Sequence, residues 1–111
     1  HKSILYGIDL VPHTTVVVCE GMMDAWRLGP GAVSTFGIDY TVAQIRLLNE
    51  YEKVFIMFDG GEEQAQRQAD NLGNELNVLG TDVEVIDLET SDPGDLPQDE
   101  ADSIMKELLG G

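Results

Sequence analysis

Cysteine, positive charge and long apolar runs are all scarce in this chain, and each scarcity removes a class of function. Of 111 residues only Cys19 is a cysteine, so neither an internal disulfide nor a cysteine-built zinc site can form. At the end of an apolar strand, Cys19 reads as a buried, inert thiol. Lys and Arg number 6 against 21 Asp and Glu, a formal net charge of −15. A protein that grips nucleic acid unaided needs a basic surface to displace counterions from phosphates. Arg27, Arg46, Lys53 and Arg67 are too scattered to line such a groove, so any action on nucleic acid must draw positive charge from another domain or a bound metal. No apolar run approaches the roughly 20 residues that cross a bilayer, and no basic-then-apolar leader opens the chain. The expectation is a soluble, cytoplasmic protein without a membrane partner. Gly60-Gly61 lacks the spaced glycines of a dinucleotide fingerprint, and no haem, flavin or nicotinamide site is indicated. Internal repeats and low-complexity segments are missing as well.

What is present is an alternation of short apolar runs and amphipathic stretches. With 42% hydrophobic residues the chain can fill one modest core. Residues 1–13 read as a lead-in, with Ile4, Leu5 and Ile8 on one helical face and Pro12 ending it; the abrupt start leads us to expect a piece of a longer protein. His13 reads as a surface loop residue. Thr15–Cys19 (TVVVC) is a strand buried on both faces. Glu20-Gly21 turns into a short helix over Met22–Leu28, closed by Gly29-Pro30-Gly31; Gly21 lets the backbone turn closely, and Met22, Met23 and Trp26 read as packing residues. A weaker strand, Ala32–Phe36, leads to a helix opened by a Thr41/Gln44 capping pair, with Val42, Ile45 and Leu48 inward. Lys53–Phe58 (KVFIMF) is the third strand. After Asp59-Gly60-Gly61, a long helix carries the stripe Ala65, Ala69, Leu72, Leu76, Leu79 and is capped by Gly80. Asp82–Leu88 reads as an edge strand, Ser91–Pro97 as a loop, and Pro97–Leu109 as a last helix. The order β-α-β-α-β-α-β-α predicts an α/β fold: a four-stranded, mainly parallel sheet with helices on both faces, in one domain over residues 14–111.

Parallel strands put Glu20, Asp59 and Asp92 along one sheet edge, beyond the carboxyl ends, where open α/β sheets bind ligands. Converging carboxylates repel, by roughly 4 kcal/mol per pair about 4 Å apart at an effective dielectric near 20. A cation relieves this, and an oxygen-only donor set suits Mg²⁺, Mn²⁺ or Ca²⁺. Taken singly the motifs are ambiguous. Glu20 with Asp24 four residues on reads either as a pair sharing a cation or proton, or as a turn acid beside a helix N-terminal acid. Asp59-Gly60-Gly61 reads as a ligand-approaching turn or a plain strand-to-helix link, and Ser91-Asp92-Pro93-Gly94-Asp95 reads by default as a turn. For the remaining surface acids, solubility or adaptation to salt is an equal explanation.

In order along the chain, LYGID (5–9), VVVCEGMMDAWRLG, AVSTFG, FDGGEE and SDPGDL resemble the Toprim domain. That Rossmann-like module is shared by primases, type IA and type II topoisomerases, some nucleases and recombination mediators, and the likeness is nearest to bacterial and phage (DnaG-like) DNA primases. The resemblance implies that Glu20 and Asp59 are catalytic, and that Glu20, Asp24, Asp59, Asp92 and Asp95 form an acidic site for Mg²⁺ or Mn²⁺. It implies nucleotidyl transfer that makes RNA primers during DNA replication, with single-stranded DNA template, ribonucleoside triphosphates and a replicative helicase as partners of the full-length protein. Tyr6, Tyr40 and Tyr51 have no context for a topoisomerase role. The sequence departs from the family at three places: the second acid of the DxD pair falls on Gly61, the usual glycine of the DEAG segment is missing at Glu62-Glu63-Gln64, and the second acid of the late DPD falls on Gly94. Glu62 and Asp95 are the nearest substitutes. These losses leave two other readings open, a non-catalytic Toprim module and a small Toprim nuclease.

Overall fold

The computed structural model describes residues 14–29, 31–35, 42–58, 63–86 and 93–110. The expected lead-in 1–13, Thr41, the turn 59–62 and Asp92 lie outside them. Four strands, β1 (Thr15–Cys19), β2 (Ala32–Ser34), β3 (Lys53–Ile56) and β4 (Asp82–Val85), alternate with helices α1 (Met22–Leu28), α2 (Val42–Leu48), α3 (Glu63–Val78) and α4 (Gln98–Gly110), with a 3₁₀ turn at Pro93–Asp95 before the last. The sheet order is β2-β1-β3-β4, and every pairing is parallel. The α/β architecture read from the sequence is therefore the observed one, with β4 at an edge.

Period-two alternation sorts the central strands between two cores. Val16, Val18, Val54, Ile56 and Phe58 face α2 and α3, packing with Ile45, Leu48, Ala65, Ala69, Leu72 and Leu76. Val17, Cys19, Phe55 and Met57 face α1 and α4, packing with Ala25, Leu28, Ala101 and Met105. The continuous apolar runs of β1 and β3 are explained by this double burial. Each such side chain, fully buried, contributes about 1.5–3 kcal/mol.

Helix ends obey local chemistry. α3 closes in a Schellman arrangement: Gly80, at φ 94°, donates its N–H to Asn77 O and Thr81 donates to Leu76 O, the pairing that an αL glycine permits. Gly31 also has positive φ, and a Cβ there would collide with Leu109 Cδ1. Gly21 is different. Its backbone is extended at φ −111°, and an added Cβ would meet nothing closer than 3.5 Å, so the turn itself does not require glycine.

Three apolar assignments are corrected. On a helix turning roughly 100° per residue, Asp24, Ala25 and Leu28 form the buried face of α1, and Met23 and Trp26 fall on the opposite side. Trp26 is 57% exposed. α2 repeats the pattern with Gln44, Ile45 and Leu48 inward, which leaves Val42 65% exposed. Gln44 is buried because its Nε2 donates to the Thr35 carbonyl at 3.2 Å. Leu79 is half-exposed because it lies past the last turn of α3, where the chain has left the buried stripe.

Candidate functional site

The sheet order makes β1 and β3 neighbours whose outgoing connections run in opposite directions, α1 toward β2 and α3 toward β4. This is a topological switch point, the crevice where open α/β sheets receive ligands. Glu20 leaves β1 there, only 8% exposed. Its backbone is held by Ser34 Oγ, which donates to the Glu20 carbonyl at 2.8 Å, and by Thr35 N–H donating to Cys19 O at 3.1 Å. On the other side of the crevice the ladder continues past β3, with Met57 N–H donating to Val18 O at 2.7 Å. The register Val18↔Ile56, carried two residues on, sets Glu20 level with Phe58, the residue before Asp59. Asp59 itself, Gly61 and Glu62 lie outside the described residues, as does Asp92.

Asp24 is on the first turn of α1, also 8% exposed. Its Oδ1 accepts the Gly94 N–H at 2.8 Å, and its Oδ2 accepts the Gly21 N–H at 3.4 Å. Burial, by stripping water from the charged form, holds its carboxyl above the ordinary aspartate value; the two N–H bonds pull down and nearby Asp95 adds a smaller upward push. Arg27 Nη1 donates to Leu96 O at 3.0 Å, and Gln98 Nε2 donates to Arg27 O at 2.8 Å. The segment 94–98 is therefore seamed onto α1. Asp24 and the late turn, far apart in the chain, come together, with exposed Asp95 beside them. Residue patterns had marked Gly94 only as a missing carboxylate. Its N–H bond depends on a backbone orientation that no spacing rule encodes.

Glu20, Asp24 and Asp95 offer only oxygen, the donor type that hard divalent cations take. Among the described residues the ion pairs sit elsewhere, Lys53 with Asp82 and Glu84 and Arg67 with Glu63. Among the described residues, too, no group of three His, Cys, Asp or Glu side chains gathers closely enough to hold an ion.

Residues 17–96 match the family described as Toprim-like. The chain belongs to this family. The Toprim fold is also that of a solved bacterial enzyme, the Aquifex aeolicus primase crystallised as its zinc-binding and RNA polymerase domains, which superposes with a TM-score of 0.77 at 20% identity. The match covers 99% of this chain and 30% of the primase chain, so this Toprim chain spans about a third of that protein. No curated protein matches the sequence. No helix among the described residues is long and apolar enough to cross a membrane.

Proposed function

We propose that this Toprim domain is the metal-binding catalytic part of a DNA primase-like protein, joining ribonucleotides into primers on a single-stranded DNA template. The observation that supports this reading is the switch-point crevice, with Glu20 at the exit of β1 and the residue before Asp59 level with it on β3. Glu20 and Asp59 would hold Mg²⁺ or Mn²⁺, with Asp92 and Asp95 from the late turn. The cation, when bound, supplies Lewis-acid stabilisation of the phosphoryl group and of the attacking and leaving oxygens. The chain's own contribution is to hold Glu20 nearly buried at a rigid strand end, where its charge is poorly screened, and to dock the late turn against α1.

With a net charge of −15, template capture is read as the work of basic surface outside this domain, in a larger replication protein that acts alongside a helicase. A second reading, a Toprim module without catalysis, draws on Gly61, which stands where the family carries the second DxD acid.

Mg²⁺ titration by calorimetry tests the site. Weak binding is expected, lost in Glu20→Gln and Asp59→Asn and tightened about tenfold (about 1.4 kcal/mol) in Gly61→Asp, which adds a carboxylate oxygen ligand of the kind Mg²⁺ takes. Equal affinities in all four forms would refute the site. Ribonucleotide incorporation by the full-length protein, abolished by Glu20→Gln, separates the catalytic reading from the non-catalytic one.

A further inference from the structure

We infer that Asp24 is a positioning residue, holding the late turn and its Asp95 against α1, and is not itself a ligand. The inference rests on the metal-site reading for its purpose and on the Asp24–Gly94 contact for its substance. Both carboxylate oxygens of Asp24 already receive N–H donors, Gly94 at 2.8 Å and Gly21 at 3.4 Å. These two donors take up acceptor sites of the carboxylate and fix it toward the backbone of the turn. Asp24 is also nearly buried beneath the turn.

Position 94 sits tightly against the Asp24 carboxylate. An added Cβ at Gly94 would stand 2.7 Å from Asp24 Oδ1, closer than a carbon and a carboxylate oxygen can approach. A side chain at 94 would therefore push the Asp24 carboxylate out of its present position. The seam continues through Arg27 Nη1 to Leu96 O and Gln98 Nε2 to Arg27 O, so three bonds tie α1 to residues 94–98. Asp95, next to the captured glycine, is carried with the turn.

The test compares Asp24→Asn with Asp24→Ala in the 111-residue chain, reading amide exchange at Gly94 by NMR without metal and Mg²⁺ affinity by calorimetry. Asn keeps an oxygen for the Gly94 N–H; Ala does not. Asp24→Ala is expected to speed Gly94 exchange at least about tenfold, the loss of a charge-assisted hydrogen bond, and to weaken Mg²⁺ binding. Asp24→Asn, which keeps one oxygen for Gly94 but loses the charge, is expected to show a clearly smaller effect than Asp24→Ala in both readings. Equal loss of Mg²⁺ affinity in the Asn and Ala forms would make Asp24 a ligand and overturn the inference. So would Gly94 exchange that is unchanged in Asp24→Ala. If Asp24→Ala does not fold, Gly94→Ala probes the same contact from the other side: faster exchange at residues 95 and 96 supports the inference and unchanged exchange refutes it. If the unaltered chain shows no Mg²⁺ response, the metal-site reading fails, and the exchange measurement alone decides whether Asp24 holds the turn.

Discussion

At the scale of single residues, Asp24 carries the clearest pH signature. Its carboxyl lies above the ordinary aspartate value chiefly because burial disfavours the charge. The folded state therefore binds this proton more tightly than the unfolded chain does. By linkage, the stability Asp24 contributes is greatest below the ordinary aspartate pKa and declines as pH rises through the interval up to the folded value, then levels off. Urea midpoints measured from acid to neutral pH should fall more steeply for the unaltered chain than for Asp24→Asn, which has no proton to exchange. Identical slopes would show that the burial of this carboxyl is not felt by the fold. Glu20, equally buried at a strand end, owes its place to backbone geometry: the Ser34 hydroxyl and the β1 ladder hold its main chain whatever the side chain bears.

At the scale of elements, the helices show how far periodicity carries and where it stops. The stripe of α3 was readable from Ala65 to Leu76 because a sixteen-residue helix repeats its apolar face several times. In the seven-residue helices α1 and α2 there are only about two turns of signal, and a buried polar residue in each, Asp24 and Gln44, takes the place expected for Met or Val. Gly73 was unmarked by the stripe yet sits on it, facing β4. A Cβ there would meet Val83 Cγ1 at 3.4 Å and Val85 Cγ2 at 3.5 Å, ordinary packing distances, in a helix interior where glycine costs about 0.8–1 kcal/mol relative to alanine. Gly73→Ala should raise stability by roughly 0.5–1 kcal/mol in chemical denaturation. A loss would mean that the α3–β4 spacing cannot yield by a few tenths of an ångström.

At the scale of the whole molecule, charge is the dominant variable. With a net charge of −15 and few ion pairs among the described residues, the folded chain repels itself more than the expanded one does. Raising NaCl from about 0.02 to about 0.5 M shortens the screening length severalfold, and the melting temperature should rise by roughly 4–8 °C, about 1 kcal/mol. A melting temperature indifferent to salt would place the acids too far apart to matter.

Local pattern along the chain specified the order of elements, the all-apolar inner strands, the edge position of β4 and the acids at the end of β1, the start of α1 and the late turn. These follow from periodicity and strand-end placement, which are local. Only the tertiary structure decided that β1 and β3 are adjacent, so that Glu20 stands level with the end of β3, and that Gly94 lies against Asp24. Strand neighbours are chosen by how helices cover the two faces, and a backbone N–H points where the whole chain's path directs it. Neither is written in the spacing of residue types along a line.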